Sequence, residues 1–212
     1  MPVRKIPRSY TSLTGRHTWV PGGGGVDLES ILERDFVSLM AFDDGVIKIE
    51  EQPVRIVFEG NRSYVPDFLV THACRAPRLV EVKPRRFLEK HREKFAPKFA
   101  AASRYANEHK WTFEIWTEAE IHGPRLENAK FLLPFRRDLL DAGLAARLMN
   151  RLAISNPTSI YELISSCWDE ENEQSQGLAT LWHLISIGKI SADFNFELDM
   201  TSPIWIGDVS HD

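Results

Sequence analysis

Asp67 and the tripeptide Glu81-Val82-Lys83 are the residues of this chain whose types and spacing best suit chemistry. Thirteen residues separate the aspartate from the glutamate. Phe68-Leu69-Val70 follows Asp67, Arg75-Ala76-Pro77 reads as a turn, and Leu79-Val80 leads into Glu81. Glu81 and Lys83 stand two apart on a predicted strand, so their side chains share one face. Pairing of the two strands through the turn would gather two carboxylates and one ammonium on that face. Such a set suits hydrolysis of a phosphodiester. Hard oxygens hold Mg²⁺ or Mn²⁺ and leave water positions open. The ion lowers the pKa of the attacking water and neutralises developing charge. The lysine orients or deprotonates that water and offsets charge on the phosphate. A lone Glu-x-Lys is as readily a solvated strand edge. The apolar flanks, two upstream acids (Glu29 and Glu33) and a basic stretch downstream give this one its weight.

The elements that must position these residues follow from the pattern. Asp27 is an expected N-cap, and Leu28, Ile31, Leu32, Phe36, Leu39 and Met40 recur at helical spacing. Asp43-Asp44-Gly45 ends that helix, and strands are expected at 46–50, 54–59, 67–71, 79–83 and 112–116. A basic helix is predicted over 87–108, with Phe87, His91, Phe95, Phe99, Ala102 and Tyr105 on its buried side and a kink or break at Pro97. Helix, strands, helix and strand make one α/β domain over 26–123. Helices over 138–152, after Thr158 and over 176–187, then strands at 189–192 and 203–206, outline a small winged-helix-like domain over 124–212.

The net charge of −4 hides an asymmetry. Residues 155–212 hold ten acids and the single base Lys189, whereas 1–154 hold 25 bases and 20 acids. A basic half can approach phosphates, and an acidic tail is repelled by them. Between Arg75 and Lys98 nine bases face three acids, more than helical ion pairing absorbs, which predicts backbone contact with DNA. The first 25 residues, with Arg4, Lys5, Arg8, Arg16 and the run Gly22 to Gly25, read either as a loose terminus or as a basic strap on DNA. No apolar run is long enough to span a bilayer, and two cysteines are too few for a disulfide framework, so a reducing, cytoplasmic setting is expected.

Four words in order carry a resemblance: Glu29-Ser30-Ile31-Leu32-Glu33-Arg34-Asp35-Phe36, Glu51-Gln52-Pro53, Tyr64-Val65-Pro66-Asp67-Phe68-Leu69-Val70 and Glu81-Val82-Lys83-Pro84. Over about residues 8–123 the chain resembles TnsA, the endonuclease subunit of heteromeric transposases, within the PD-(D/E)xK restriction-endonuclease-like fold. The resemblance implies a restriction-endonuclease-like mixed sheet flanked by helices, in an α/β chain. It also implies a bacterial enzyme that cuts one strand at each transposon end, while a DDE transposase cuts and joins the other. An ATP-dependent transposition regulator would contact the C-terminal part. Glu33, Asp67 and Glu81 would ligate the metal, and Lys83 would be the catalytic base or water-positioning group. The Ser-x-x-Glu spacing selects Glu33, with Glu29 one turn away as the alternative. Arg4, Lys5, Arg8, Gln52, Arg85, Arg86 and Lys90 are expected to contact DNA; for Gln52 a turn-facing amide is the competing reading.

Two rival functions remain at this level: a stand-alone nuclease of restriction or repair, and a non-catalytic DNA-binding adaptor. Joint retention of Asp67, Glu81 and Lys83 argues against the adaptor. His72 and Cys74 lack partners at zinc spacing and are expected in a turn, and His183 is expected in the core. The predicted recognition helix over 176–187 carries no Lys or Arg. The C-terminal domain is therefore expected to dock a protein and not DNA.

Overall fold

The computed structural model describes residues 15–17, 21, 26–28, 30–137 and 140–207. The chain divides into two compact units, residues 1–122 and 123–212. Among the described residues no helix is long and apolar enough to cross a membrane.

In the first unit, β1 (Gly15–His17) pairs antiparallel with β2 (Val26–Leu28). α1 (Ile31–Phe42) follows, and nine of its twelve residues are buried, the mark of a helix enclosed almost all round. The expected N-cap at Asp27 is corrected: Asp27 pairs with Arg16 in the β1–β2 ladder, and Ser30 caps the helix by accepting from the Glu33 N–H at 3.2 Å. Next come β3 (Val46–Glu51), β4 (Ile56–Phe58), β5 (Arg62–Tyr64), β6 (Phe68–His72) and β7 (Arg78–Val82). β3, β6, β7 and β8 (Thr112–Trp116) form one sheet in that order, with β7–β8 parallel and the other pairs antiparallel. The parallel step needs a crossover, which α2 (Arg85–Lys90) and α3 (Arg92–Glu108) supply. α4 (Glu118–Ile121), held by a Thr117–Glu120 capping box, closes the unit.

The sheet is a mixed one sandwiched between helices. Phe68 and Val80 pair on one face, where Phe36 of α1 stacks on Phe68 at 5.2 Å. Leu69 and Leu79 pair on the other, against Ala101, Ala102 and Ala106 of α3. Both faces of β6 and β7 are covered, which is why these strands are apolar nearly throughout. The basic helix expected over 87–108 is broken at His91 and not at Pro97. Pro97 sits inside α3, where the carbonyl it leaves without a donor belongs to exposed Glu93. Phe87, expected on the buried side, is 46% exposed.

The second unit begins with α5 (Pro124–Leu132), which the sequence reading did not anticipate. Pro124 opens it instead of barring it, since the first helical turn needs no N–H there. A 3₁₀ turn over Leu133–Arg137 precedes α6 (Ala142–Ile154), capped by Asp141; the first two positions of the helix expected over 138–152 lie outside the described residues. β9 (Thr158–Ser159), α7 (Ile160–Cys167), α8 (Glu171–Ser186), β10 (Ile190–Ala192) and β11 (Pro203–Ile206) complete the unit. Ser159 caps α7 in place of Thr158, and α8 starts five residues before the expected 176. β11 pairs with β10 as expected and also with β9, giving an antiparallel sheet of order β10-β11-β9. His183 is buried, with its Nδ1 2.7 Å from the Phe135 carbonyl.

Candidate active site

Strand register brings the acids together. One step beyond the Phe68–Val80 pair, Asp67 lies opposite Glu81, on the sheet face that α3 covers. Two like charges so placed repel unless a cation lies between them. Lys83 provides it. Its Nζ lies 3.0 and 3.3 Å from the two Asp67 carboxylate oxygens, 3.0 Å from the Val82 carbonyl and 3.7 Å from Glu81 Oε1. Asp67 is fixed from two further sides. Its Oδ2 accepts the Val82 N–H at 2.8 Å, and its carbonyl accepts the Gln52 N–H at 2.7 Å. Gln52 holds a left-handed φ of 43° to make that turn beside the aspartate.

Glu81 is 1% exposed. Its Oε2 accepts from the Tyr64 hydroxyl at 2.5 Å, and its Oε1 accepts from Lys98 Nζ at 3.3 Å. Neither residue was singled out in the sequence, although Lys98 was counted among the basic stretch. Lys98 comes from α3, and its ammonium lies 4.2 Å from the Phe95 ring centroid, 4.5 Å from that of Tyr64 and 5.2 Å from that of Phe99. Three aromatic faces thus hold this cation in place independently of the carboxylate. The available signal was the spacing of Phe95, Lys98 and Phe99, which puts the three side chains on one side of a helix.

The electrostatics follow from burial and crowding. Burial, then the Asp67 charge, pushes the Glu81 carboxyl above its ordinary range, against the pull of Lys83, Lys98 and the Tyr64 hydrogen bond. Burial works to lower Lys83, but the Asp67 and Glu81 charges outweigh it and hold the ammonium above its usual pKa. Burial wins at Lys98, which is lowered. Burial and Glu81 together raise Tyr64, which stays a hydrogen-bond donor.

Glu33 is buried in the first turn of α1, and its charge helps to raise Lys83. Glu29 lies outside the described residues, as do Arg4, Lys5 and Arg8. Arg85, Arg86 and Lys90 are exposed on α2, directly after Lys83-Pro84. Arg85 donates to Glu89 at 3.0 Å. His72 ends β6 within the sheet, so the turn expected of it starts one residue later; Cys74 is exposed in that turn.

Among the described residues no three His, Cys, Asp or Glu side chains converge closely enough to hold a metal ion. The atoms around Lys83 Nζ are carboxylate and carbonyl oxygens, and they already enclose one positive charge. Such donors suit a small, hard divalent cation that keeps part of its water shell.

Residues 43–118, from the end of α1 to the first residue of α4, match the model of the family described as TnsA-like endonuclease N terminal. The matched span contains Tyr64, Asp67, Glu81, Lys83 and Lys98 and stops short of Glu33. No curated protein matches the chain.

Proposed function

We propose that this chain, whose residues 43–118 match the TnsA-like endonuclease N-terminal model, cuts one DNA strand at each transposon end during cut-and-paste transposition, while a DDE transposase cuts the other. The observation that carries the reading is the convergence of the Asp67 and Glu81 carboxylates on the Lys83 ammonium. Asp67 and Glu81 are the residues that would hold Mg²⁺ or Mn²⁺ from the sheet, and Glu33 of α1, which does not converge with them closely enough to complete a three-acid cluster, would join them when an ion binds. When bound, the ion supplies Lewis-acid stabilisation of the phosphate and a more acidic water.

The rest of the work falls to side chains. Lys83, held as an ammonium by two carboxylates, orients the attacking water and offsets negative charge on the phosphate. Tyr64 and Lys98 hold Glu81 in one orientation and oppose the upward pull of burial on its pKa. Water attacks phosphorus and gives up a proton to solvent, the bond to the leaving sugar oxygen breaks, and that oxygen takes up a proton from solvent. Arg85, Arg86 and Lys90, presented by α2 beside the site, bind flanking phosphates.

The second unit reads as a winged helix, supported by its order of helix, strand, two helices and two strands. α8 has no Lys or Arg and opens with Glu171 and Glu173, which favours docking of a protein, the ATP-dependent regulator, over DNA.

A strand-resolved cleavage assay with the cognate transposase, transposon-end DNA and Mg²⁺ or Mn²⁺ tests the proposal. Asp67→Ala and Lys83→Ala should each remove one of the two cuts by about 100-fold or more and leave strand joining intact. Persistence of both cuts in Asp67→Ala would sink it.

A further inference from the structure

β4 and β5 form a two-stranded ribbon of their own, outside the four-stranded sheet. Its turn is tight: three residues, Glu59, Gly60 and Asn61, separate the paired Phe58 and Arg62, and Gly60 and Asn61 both take left-handed φ, 63° and 60°. A Cβ at Gly60 would meet nothing within 4 Å, so the tip stands in open space. The ribbon has two unlike faces. Ile56 and Tyr64, a cross-strand pair, are buried, with Phe58 packed beside them against the α3 core. The opposite face carries Arg55, Val57 and Ser63.

That outer face is unusual for a surface. Val57 is 64% exposed at its centre. The Arg55 guanidinium is held across the strands by the Ser63 hydroxyl at 3.1 Å, which orients it while leaving its other N–H groups to point outward. The acid nearest the tip, Glu59, is taken up by Arg62 at 2.6 Å, and Arg62 in turn lies over the Phe58 ring. Among the described residues Arg55 is the charge on this face with no acid paired to it, and it is positive. The ribbon is also bolted to the candidate site, because Tyr64 ends β5 and donates to Glu81.

We infer that this ribbon enters the major groove of duplex DNA beside the bond to be cut and reads base edges there; the inference rests on the nuclease reading above. A two-stranded ribbon fits a groove about 12 Å wide. Three residues of strand put the tip about 10 Å from the Tyr64–Glu81 contact, within reach of the groove next to a phosphate in the site. The side chains match the readout chemistry. Arginine pairs with guanine O6 and N7, asparagine with adenine, and valine with the thymine methyl. The charge is complementary, and the surface continues directly into the candidate site.

The test uses the full chain with the cognate transposase and transposon-end duplexes randomised around the cut site. Val57→Cys, carrying a photoreactive aryl azide, is compared with Ile47→Cys, an exposed position on β3. Cross-links to bases are expected from position 57 and not from 47. Duplexes selected by the wild type should show a base preference that Arg55→Ala loses by about fivefold or more at one position. If position 57 gives no base cross-link, or links only to protein, while the chain still cuts DNA in an Asp67-dependent way, the ribbon inference falls and the nuclease reading stands. If the chain with its transposase neither binds nor cuts DNA in an Asp67-dependent way, the nuclease reading falls and takes the ribbon with it.

Discussion

The Tyr64 hydroxyl lies 2.5 Å from Glu81 Oε2 while Lys98 Nζ lies 3.3 Å from Oε1, so one buried carboxylate is shared between a hairpin and a helix. Neither partner is close to Glu81 in sequence. Together they fix the orientation of a carboxylate whose pKa burial and the Asp67 charge still hold above its ordinary range.

Removing either partner should therefore cost stability as well as cutting. Tyr64→Phe keeps the ring and loses the donor, and Lys98→Met keeps the stem within its aromatic surround and loses the ammonium. Each is expected to destabilise the first unit by about 1–3 kcal/mol in urea unfolding, because a buried acceptor loses a charge-assisted hydrogen bond. Two neutral results would show that Glu81 draws its support elsewhere.

His72 gives a pH dependence of a definite sign. It is buried, and its Nε2 lies 2.5 Å from an Arg78 Nη atom. Burial, then the Arg78 charge, lowers its pKa. Between that lowered value and the unfolded value of about 6.5, the unfolded chain binds the extra proton. The stabilisation is thus complete above about pH 6.5 and is lost as pH falls through the folded pKa. Urea midpoints from pH 5 to 8 should show this slope in the wild type and a flatter one in His72→Gln. An equal slope in both would exclude His72 as its source.

In the second unit, Gly177 of α8 lies so near the buried Trp168 ring that an added Cβ would stand inside contact distance. The Arg147 guanidinium sits 5.0 Å from that ring's centroid. Helix propensity alone would make Gly177→Ala favourable by about 1 kcal/mol. Crowding against the ring should reverse the sign, to a net loss of about 1–3 kcal/mol by calorimetry or urea. A gain would mean that the ring moves freely.

The contrast between residues whose meeting the sequence pattern anticipates and those it leaves out has a physical basis. Asp67, Glu81 and Lys83 were legible because strand parity is local: Glu81 and Lys83 must share a face, and one turn returns Glu81 beside Asp67. Tyr64 and Lys98 reach the same carboxylate from elements whose packing no local pattern encodes. Competition between equally good local signals explains the boundary errors. Asp27 and Ser30 are both fair caps, and the β1–β2 pairing decides between them. Pro124 could stop a helix or start one, and only its place at the first turn of α5 settles which.

The pair of lysines has one more effect. Asp67 and Glu81 reach charge balance from within the polypeptide, through Lys83 and Lys98, so folding of the first unit does not wait for an ion from solution. Under the proposed chemistry a chelated preparation is silent yet intact, and cutting can be started at will by returning the ion to an already assembled protein–DNA complex.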